Sequence, residues 1–241
     1  MEKLRILFLT DLHYIGKAEH TCNVAVRQTH LAATLLKQVF EQVPAEAYDV
    51  IVLGGDLTDN GNAAGAEEDL LELKQIMKAQ NKPVLVVRGN HDAPEKLFQN
   101  MFADETQPVT AGGYYLLGFS DCYRPGVPGQ RDWAKMEELF AVVPPEQPVI
   151  VFQHSPVYPP IEDEYPYNLA EAEQMMRFYE EHHVLLSVSG HLHRGMPPMQ
   201  SGGVMYLTGA ALCEAPFCYA LIQAEGAAAT YHQYHITPPS V

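Results

Sequence analysis

Basic residues are scarce in this chain: 15 Lys and Arg stand against 30 Asp and Glu, so the formal charge is 15 − 30 = −15. A protein that wraps a nucleic-acid backbone needs a basic surface, and so does one that docks on anionic lipid. Neither a nucleic-acid duplex nor a membrane is therefore an expected partner. The shortage does not exclude a small phosphorylated substrate, because bound divalent cations invert the local charge. Cysteine is also sparse. The four present, Cys22, Cys122, Cys213 and Cys218, follow no zinc-finger or disulfide spacing. A Cys213–Cys218 pair is one reading, and buried free thiols in a reducing compartment are the other. Long apolar runs are missing too. The run after Met1-Glu2-Lys3 ends at Asp11, too short for a membrane span or a signal-peptide core, so a soluble, cytoplasmic protein is expected. No linker, repeat or low-complexity tract divides the 241 residues, and 47% of them are hydrophobic. That is enough for a large core, and a single domain over residues 1–241 is the expectation.

What the chain does contain is one device used five times: a short apolar run that stops at polar residues. Residues 6–9 lead to Asp11-Leu12-His13, residues 50–53 to Gly54-Gly55-Asp56-Leu57-Thr58-Asp59, and residues 84–87 to Arg88-Gly89-Asn90-His91-Asp92. Residues 149–152 lead to His154, and residues 184–188 to Gly190-His191-Leu192-His193. Such runs predict buried strands, and in open α/β sheets ligands bind at the strands' C-terminal ends. Helical periodicity fills the first gaps. Residues 23–43 place Val24, Leu31, Leu35, Leu36, Val39 and Phe40 on one face, and residues 67–80 place Leu70, Leu71, Leu73, Ile76 and Met77 inside. Strand–helix alternation of this kind winds parallel sheets, here covered on both faces.

Beyond residue 100 the pattern predicts a strand at 114–119, a loop, and a short helix around Trp133 and Phe140. A long loop at 156–167 follows, then a helix opened by a capping box of Asn168 and Glu171. Residues 203–236 read as strands, which suggests a second sheet, built from the tail, packed against the first.

The strand-end residues Asp11, His13, Asp56, Asn90, His91, His154, His191 and His193 offer carboxylate, imidazole and amide donors without a thiolate. That set suits Mn, Fe, Zn or Co in five- or six-coordinate geometry. Asp-x-His and His-x-His aim two side chains to the same side of an extended segment. The glycines before Asp56, Asn90 and His191 let the backbone turn sharply and approach closely. Taken singly, Gly-Asp is an ordinary turn and one buried histidine an ordinary core residue. Five such pieces, all at strand ends, argue for a metal site.

The ordered set Asp11-x-His13, Gly55-Asp56-x-x-Asp59, Gly89-Asn90-His91-Asp92, His154 and Gly190-His191-x-His193 resembles the calcineurin-like metallophosphoesterases over about four-fifths of the chain. The resemblance implies an α/β four-layer αββα sandwich, two mixed sheets flanked by helices, with two divalent or trivalent metal ions at the strand ends. By motif, Asp11, His13 and His193 would hold one ion, Asn90, His154 and His191 the other, and Asp56 would bridge them. Two such cations about 3.5–4 Å apart can share a nucleophilic hydroxide and clamp a phosphoryl group. His91 would hydrogen-bond the phosphoryl group or protonate the leaving oxygen, and Asp59 would be the partner that fixes its tautomer.

Around these, Asp92 suits a helix N-cap. Arg194 directly follows the His-x-His and suits phosphate binding; Arg88 suits either phosphate binding or a buried ion pair. His20 is expected in solvent, with a substrate contact as the alternative, and Tyr14, Tyr123, Tyr158, Tyr165 and Tyr167 either rim a base-stacking pocket or pack as ordinary loop residues. The short chain resembles the small cyclic-nucleotide phosphodiesterase-like branch, which implies hydrolysis of a phosphodiester or phosphomonoester. The rivals are a protein phosphatase, a nuclease and a non-catalytic scaffold of the same fold. The acidic charge disfavours the nuclease, and the complete motif set disfavours the scaffold.

Overall fold

The computed structural model describes residues 2–161 and 165–238. β1 (Leu4–Leu9), α1 (Ala32–Gln42), β2 (Val50–Leu53), α2 (Ala66–Lys78) and β3 (Val84–Val86) alternate as their patterns predict. Then come α3 (Glu95–Met101), β4 (Val109–Ala111), β5 (Tyr114–Phe119), β6 (Cys122–Arg124), β7 (Val127–Gln130) and α4 (Trp133–Ala141). β8 (Val149–Gln153), α5 (Ala172–Glu181) and β9 (Val184–Ser189) precede four final strands: β10 (Met196–Ser201), β11 (Val204–Thr208), β12 (Cys218–Glu225) and β13 (Ala228–His235).

Two large mixed sheets result, in the orders β13-β12-β1-β2-β3 and β10-β11-β9-β8-β5-β4. In the first, β1, β2 and β3 are parallel; in the second, β5, β8, β9 and β11 are. The period-2 alternation of side chains assigns the faces. Ile6, Phe8, Val50 and Val52 point to the layer between the sheets, where they meet Ile150, Phe152, Leu186 and Val188. Leu7, Leu9, Ile51 and Leu53 point outward and are covered by Leu35, Leu36, Val39, Leu70 and Leu73 of α1 and α2. The outer face of the second sheet, with Leu117, Val151 and Tyr206, is covered by Met136 and Phe140 of α4 and Met175 and Tyr179 of α5. This is the αββα sandwich that the resemblance implies. Among the described residues no helix is long and apolar enough to cross a membrane.

Several local expectations are corrected. The tail divides between the sheets: β11 joins the second, which already begins at β4, beside β9, while β12 and β13 extend the first sheet beside β1. Helix α1 starts at Ala32, preceded by a 3-10 turn at Thr29–Leu31, so Val24 and Val26 lie in exposed loop. Leu71, expected inside α2, is exposed. The loop after β5 contains the hairpin β6–β7. Glu171 caps no helix with its side chain; it sits at the left-handed N-cap position of α5 and accepts a hydrogen bond from the Trp133 indole N–H. Long-range bonding has displaced the local capping box there. The loop at 156–167 is irregular where described; residues 162–164 lie outside the described residues.

One buried polar cluster stabilises the second sheet. The Arg131 Nε donates to Asp121 Oδ1 at 2.5 Å, and its terminal N–H to the Tyr179 hydroxyl at 2.9 Å, which in turn donates to Gln153 at the end of β8. Both charged side chains are essentially solvent-free. Replacing Arg131 with Met leaves Asp121 buried and unpaired, so urea unfolding should show a loss of about 3–5 kcal/mol. A loss below about 1 kcal/mol would mean that water reaches Asp121.

Candidate metal centre

The pairing registers bring Leu9, Leu53 and Val86 level at the ends of β1, β2 and β3, and Phe152 level with Val188 at the ends of β8 and β9. The motif loops therefore leave both sheets at one edge of the sandwich. Backbone bonds lace them together: Asp11 N–H to Gly55 O (3.0 Å), His13 N–H to Asp56 O (2.9 Å) and Gly190 N–H to His154 O (3.0 Å). Among the described residues eight non-glycine residues have positive φ, and four of them are Asp11 (54°), His13 (46°), Asp56 (51°) and His191 (67°). Side chains other than glycine occupy that region at a cost, and such strain concentrates at functional sites. The sharp turn is thus made by the polar residues themselves and, before Asp56, by Gly55 (98°) as well. Gly89 serves close approach instead, since a Cβ there would run into the carboxylate and main-chain nitrogen of Asp56.

The strand-end side chains converge. His13 Nε2 lies 3.1 Å from His193 Nε2 and 3.4 Å from Asp56 Oδ2, and His193 Nε2 lies 3.3 Å from Asp11 Oδ1. His154 Nε2 lies 3.1 Å from Asp56 Oδ2. The outer nitrogens of these rings are already committed: His13 Nδ1 to Asp59 (3.0 Å), His193 Nδ1 to Glu214, and His154 Nδ1 to the Gly54 carbonyl (2.8 Å). Each ring then points its Nε2 inward. His191 is turned the other way, with Nε2 on the Pro166 carbonyl (2.9 Å) and Nδ1 left over. Asp56, His154 and His191 offer one set of donor atoms that lie within 4.8 Å of one another; His13, His193 and Cys213 offer a second, and His13, Asp56 and His91 a third.

This arrangement could hold cations. Asp11 Oδ1, Asn90 Oδ1 and His154 Nε2 are buried without a hydrogen-bond partner among the described residues, although buried polar atoms are rarely left so. Lone pairs that face one another at 3.1 Å repel unless a proton or a metal ion lies between them.

The electrostatics agree. Burial alone would raise Asp11 and Asp56, but the surrounding histidines hold both carboxyls well below the usual range. Burial opposes the charged form of His154 also, yet Asp56 and then Asp11 push it up to about 10. His191, 4.7 Å away, is brought down to about 4 by burial and by its charged neighbour. A proton on His154 does here what a cation would do, and metal binding would displace it.

The remaining expected residues fall into place or out of it. His91 stands edge-on to His13 at 4.7 Å, with its main-chain N–H on Asp56 Oδ1 and its Nδ1 donating to the backbone carbonyl of Asp59 at 2.7 Å. The Asp59 carboxylate is therefore not the partner of His91. It is taken by His13, by the Arg27 guanidinium (2.9 Å) and by His20 (3.0 Å), so His20 is not in solvent either. Asp92 is not an N-cap; α3 begins after Pro94. Its buried carboxylate accepts the main-chain N–H groups of Leu57, Thr58 and Gly89, tying two motif loops together, while burial and the charge of Asp56 push it up to about 6.

Arg88 has no ion pair among the described residues: it is buried, donates to the carbonyls of Asp121 and Gly89, and lies over the Tyr123 ring. Arg194 is exposed and has no charged partner among the described residues. Of the loop tyrosines, Tyr123 and Tyr167 flank His191. Tyr14 is buried against Glu72, Tyr158 packs on Tyr206, and Tyr165 is exposed.

Three residues at the site escape a reading of the sequence. Arg27 comes from an irregular loop whose fastening, the Gly16 and Ala18 N–H groups on the buried Asp69 carboxylate, leaves no local signature. Cys213 and Glu214 follow β11 as the other motif loops follow their strands, and that shared position is the one available signal. Glu214 orients His193 as Asp59 orients His13. Outer partners of this kind hold about 10–100-fold in metal affinity. Glu214→Gln should weaken manganese or zinc binding at one site by about that factor in isothermal titration, and an unchanged isotherm would show that Glu214 is a bystander.

The comparisons with known proteins agree with this picture. Residues 4–195 match the model of the calcineurin-like phosphoesterase family. The chain is 30% identical over 115 residues to a 3',5'-cyclic adenosine monophosphate phosphodiesterase, CpdA, of Haemophilus influenzae, covering 48% of this chain and 38% of that protein. It is 29% identical over 119 residues to a component of the SbcCD nuclease of Bacillus subtilis, covering 48% and 28%. The matches thus span about a third of these relatives' length. A crystal structure of a dimetal phosphatase from Danio rerio superposes with a TM-score of 0.71 at 16% identity, over 97% of this chain and 99% of that one.

Proposed function

The chain belongs to the calcineurin-like phosphoesterase family, and from that premise we propose that it is a dinuclear metal-dependent hydrolase of phosphodiesters or phosphomonoesters, with cyclic nucleotides as the leading substrate class. The observation that carries this reading is the set of buried, partnerless donor atoms on Asp11, Asn90 and His154, turned inward beside the Nε2 atoms of His13 and His193. Asp11, His13 and His193 would hold one ion, Asn90, His154 and His191 the other, and Asp56 would serve both. Family members use divalent metals; Mn, Fe or Zn suits these donors. Two such ions, when bound, activate water near neutral pH and neutralise the phosphoryl oxygens.

The chain's own residues do the rest. His91, with Nδ1–H held by the Asp59 carbonyl, is fixed in the tautomer whose Nε2 exchanges a proton with the leaving oxygen. Arg194, exposed and directly after His193 in the chain, would bind the phosphate anion. Asp59 and Glu214 orient His13 and His193. The small-substrate preference draws on the match to the cyclic-nucleotide phosphodiesterase and on the charge of −15, which leaves a nucleic-acid duplex poorly gripped. The same reading places the protein in the cytoplasm and takes residues 1–241 as one catalytic unit, because β12 and β13 complete the sheet that β1 begins.

The test is hydrolysis of bis-nitrophenyl phosphate and of nitrophenyl phosphate with added manganese. Turnover of at least one, lost with chelator and restored by excess metal, is expected. Silence on both from protein carrying two manganese ions would mark a binding scaffold instead.

A further inference from the structure

The donor set read from the sequence contains no sulfur, yet the fold brings a thiol to the site. The segment after β11 is stitched to two motif loops by main-chain bonds: Ala211 N–H to His193 O (2.9 Å), Leu212 N–H to Thr10 O (3.0 Å) and Cys213 N–H to Asp11 O (3.2 Å). From the other side Gln28 N–H binds the Cys213 carbonyl at 2.7 Å. Cys213 is fixed by these bonds with no exposed surface. Its Sγ and one ring nitrogen each of His13 and His193 lie within 4.8 Å of one another. A second observation points to the same spot: Asp11 is fully buried, and its Oδ1, 3.3 Å from His193 Nε2, has no hydrogen-bond partner among the described residues.

We propose that the Cys213 thiolate is a further ligand, beside Asp11, His13 and His193, to one ion of the metal centre, so that this half of the centre takes thiophilic cations while the Asn90–His154–His191 half does not. The inference rests on the metal-centre reading above and sharpens it. Sulfur sits about 2.3 Å from zinc, and imidazole nitrogen about 2.0–2.1 Å, so donor atoms this close can close on a single ion with small side-chain shifts. Ligation forms a metal–sulfur bond and sends the thiol proton to solvent. A soft donor on one side and amide plus imidazole on the other would give the two halves different metal preferences.

Cobalt(II) loading of the whole chain tests this without reference to turnover. The expected spectrum has weak visible ligand-field bands and an intense near-ultraviolet sulfur-to-cobalt charge-transfer band. Cys213→Ser should abolish the charge-transfer band and keep bound cobalt, whereas Cys218→Ser, at another buried thiol, should keep both. Visible bands without the charge-transfer band in the unsubstituted protein would overturn the thiolate ligand and leave the metal centre standing. So would a charge-transfer band that survives Cys213→Ser. No bound cobalt at all would overturn both. The spectrum of the unsubstituted protein decides even if Cys213→Ser fails to fold.

Discussion

Asp56→Asn is expected to lose bound metal and phosphoesterase activity together. The side chain is buried, and its Oδ2 lies 3.4 Å from His13 Nε2 and 3.1 Å from His154 Nε2, in reach of both proposed ion positions. Its Oδ1 is occupied by the His91 main-chain N–H at 2.8 Å, a contact that the amide oxygen of asparagine can keep. The substitution therefore removes the negative charge and turns an amide NH2, which donates and does not ligate, toward the two rings. A metal centre supplies several kcal/mol of transition-state stabilisation, and each ~1.4 kcal/mol is tenfold in rate, so kcat/KM should fall about 10³-fold or more. Metal content by atomic emission should drop below two ions per chain in the same preparation, with the circular dichroism spectrum unchanged. Two retained ions would rule out Asp56 as the shared ligand.

His91→Ala is expected to separate what Asp56→Asn joins. His91 lies within donor distance of His13 and Asp56, so a ligand role and a proton-transfer role predict different outcomes. With Nδ1–H bound to the Asp59 carbonyl, the ring keeps only Nε2 for chemistry. As a general acid it is worth about 10²–10⁴-fold, and only where the leaving group needs a proton. Esters with alkoxide-type leaving groups should slow by that factor, nitrophenyl esters by much less, and both ions should stay bound. Equal loss on both ester types would remove the acid role. Loss of one ion would make His91 a ligand.

How much of this was legible in the chain follows from where the information sits. The five strand-end motifs could be read because an apolar, β-branched run and the polar residues after it are contiguous in sequence. The alternation that sends Ile6 and Phe8 to one layer and Leu7 and Leu9 to the other is equally local. What depends on distant partners could not be read. Asp92 resembles an N-cap until Leu57 and Thr58 are found against it. Asp59 sits three residues from Asp56, but only the folded loops show that its carboxylate serves His13 and its carbonyl serves His91. Arg27 has no pattern of its own and Glu214 only its place after a strand, and β12 and β13 give no local sign that they join the first sheet rather than make the second. Exposed Leu71 and the early start assigned to α1 show the limit of helical periodicity, which marks a face without saying whether anything covers it.

The central claim is that Asp11, His13, Asp56, Asn90, His154, His191 and His193 grip a pair of cations. Anomalous diffraction from crystals soaked in manganese measures this directly. Two peaks about 3.5–4 Å apart, one beside Asp11 and His193, one beside Asn90 and His154, and Asp56 between them, are predicted; no peak among these side chains at saturating metal would contradict it.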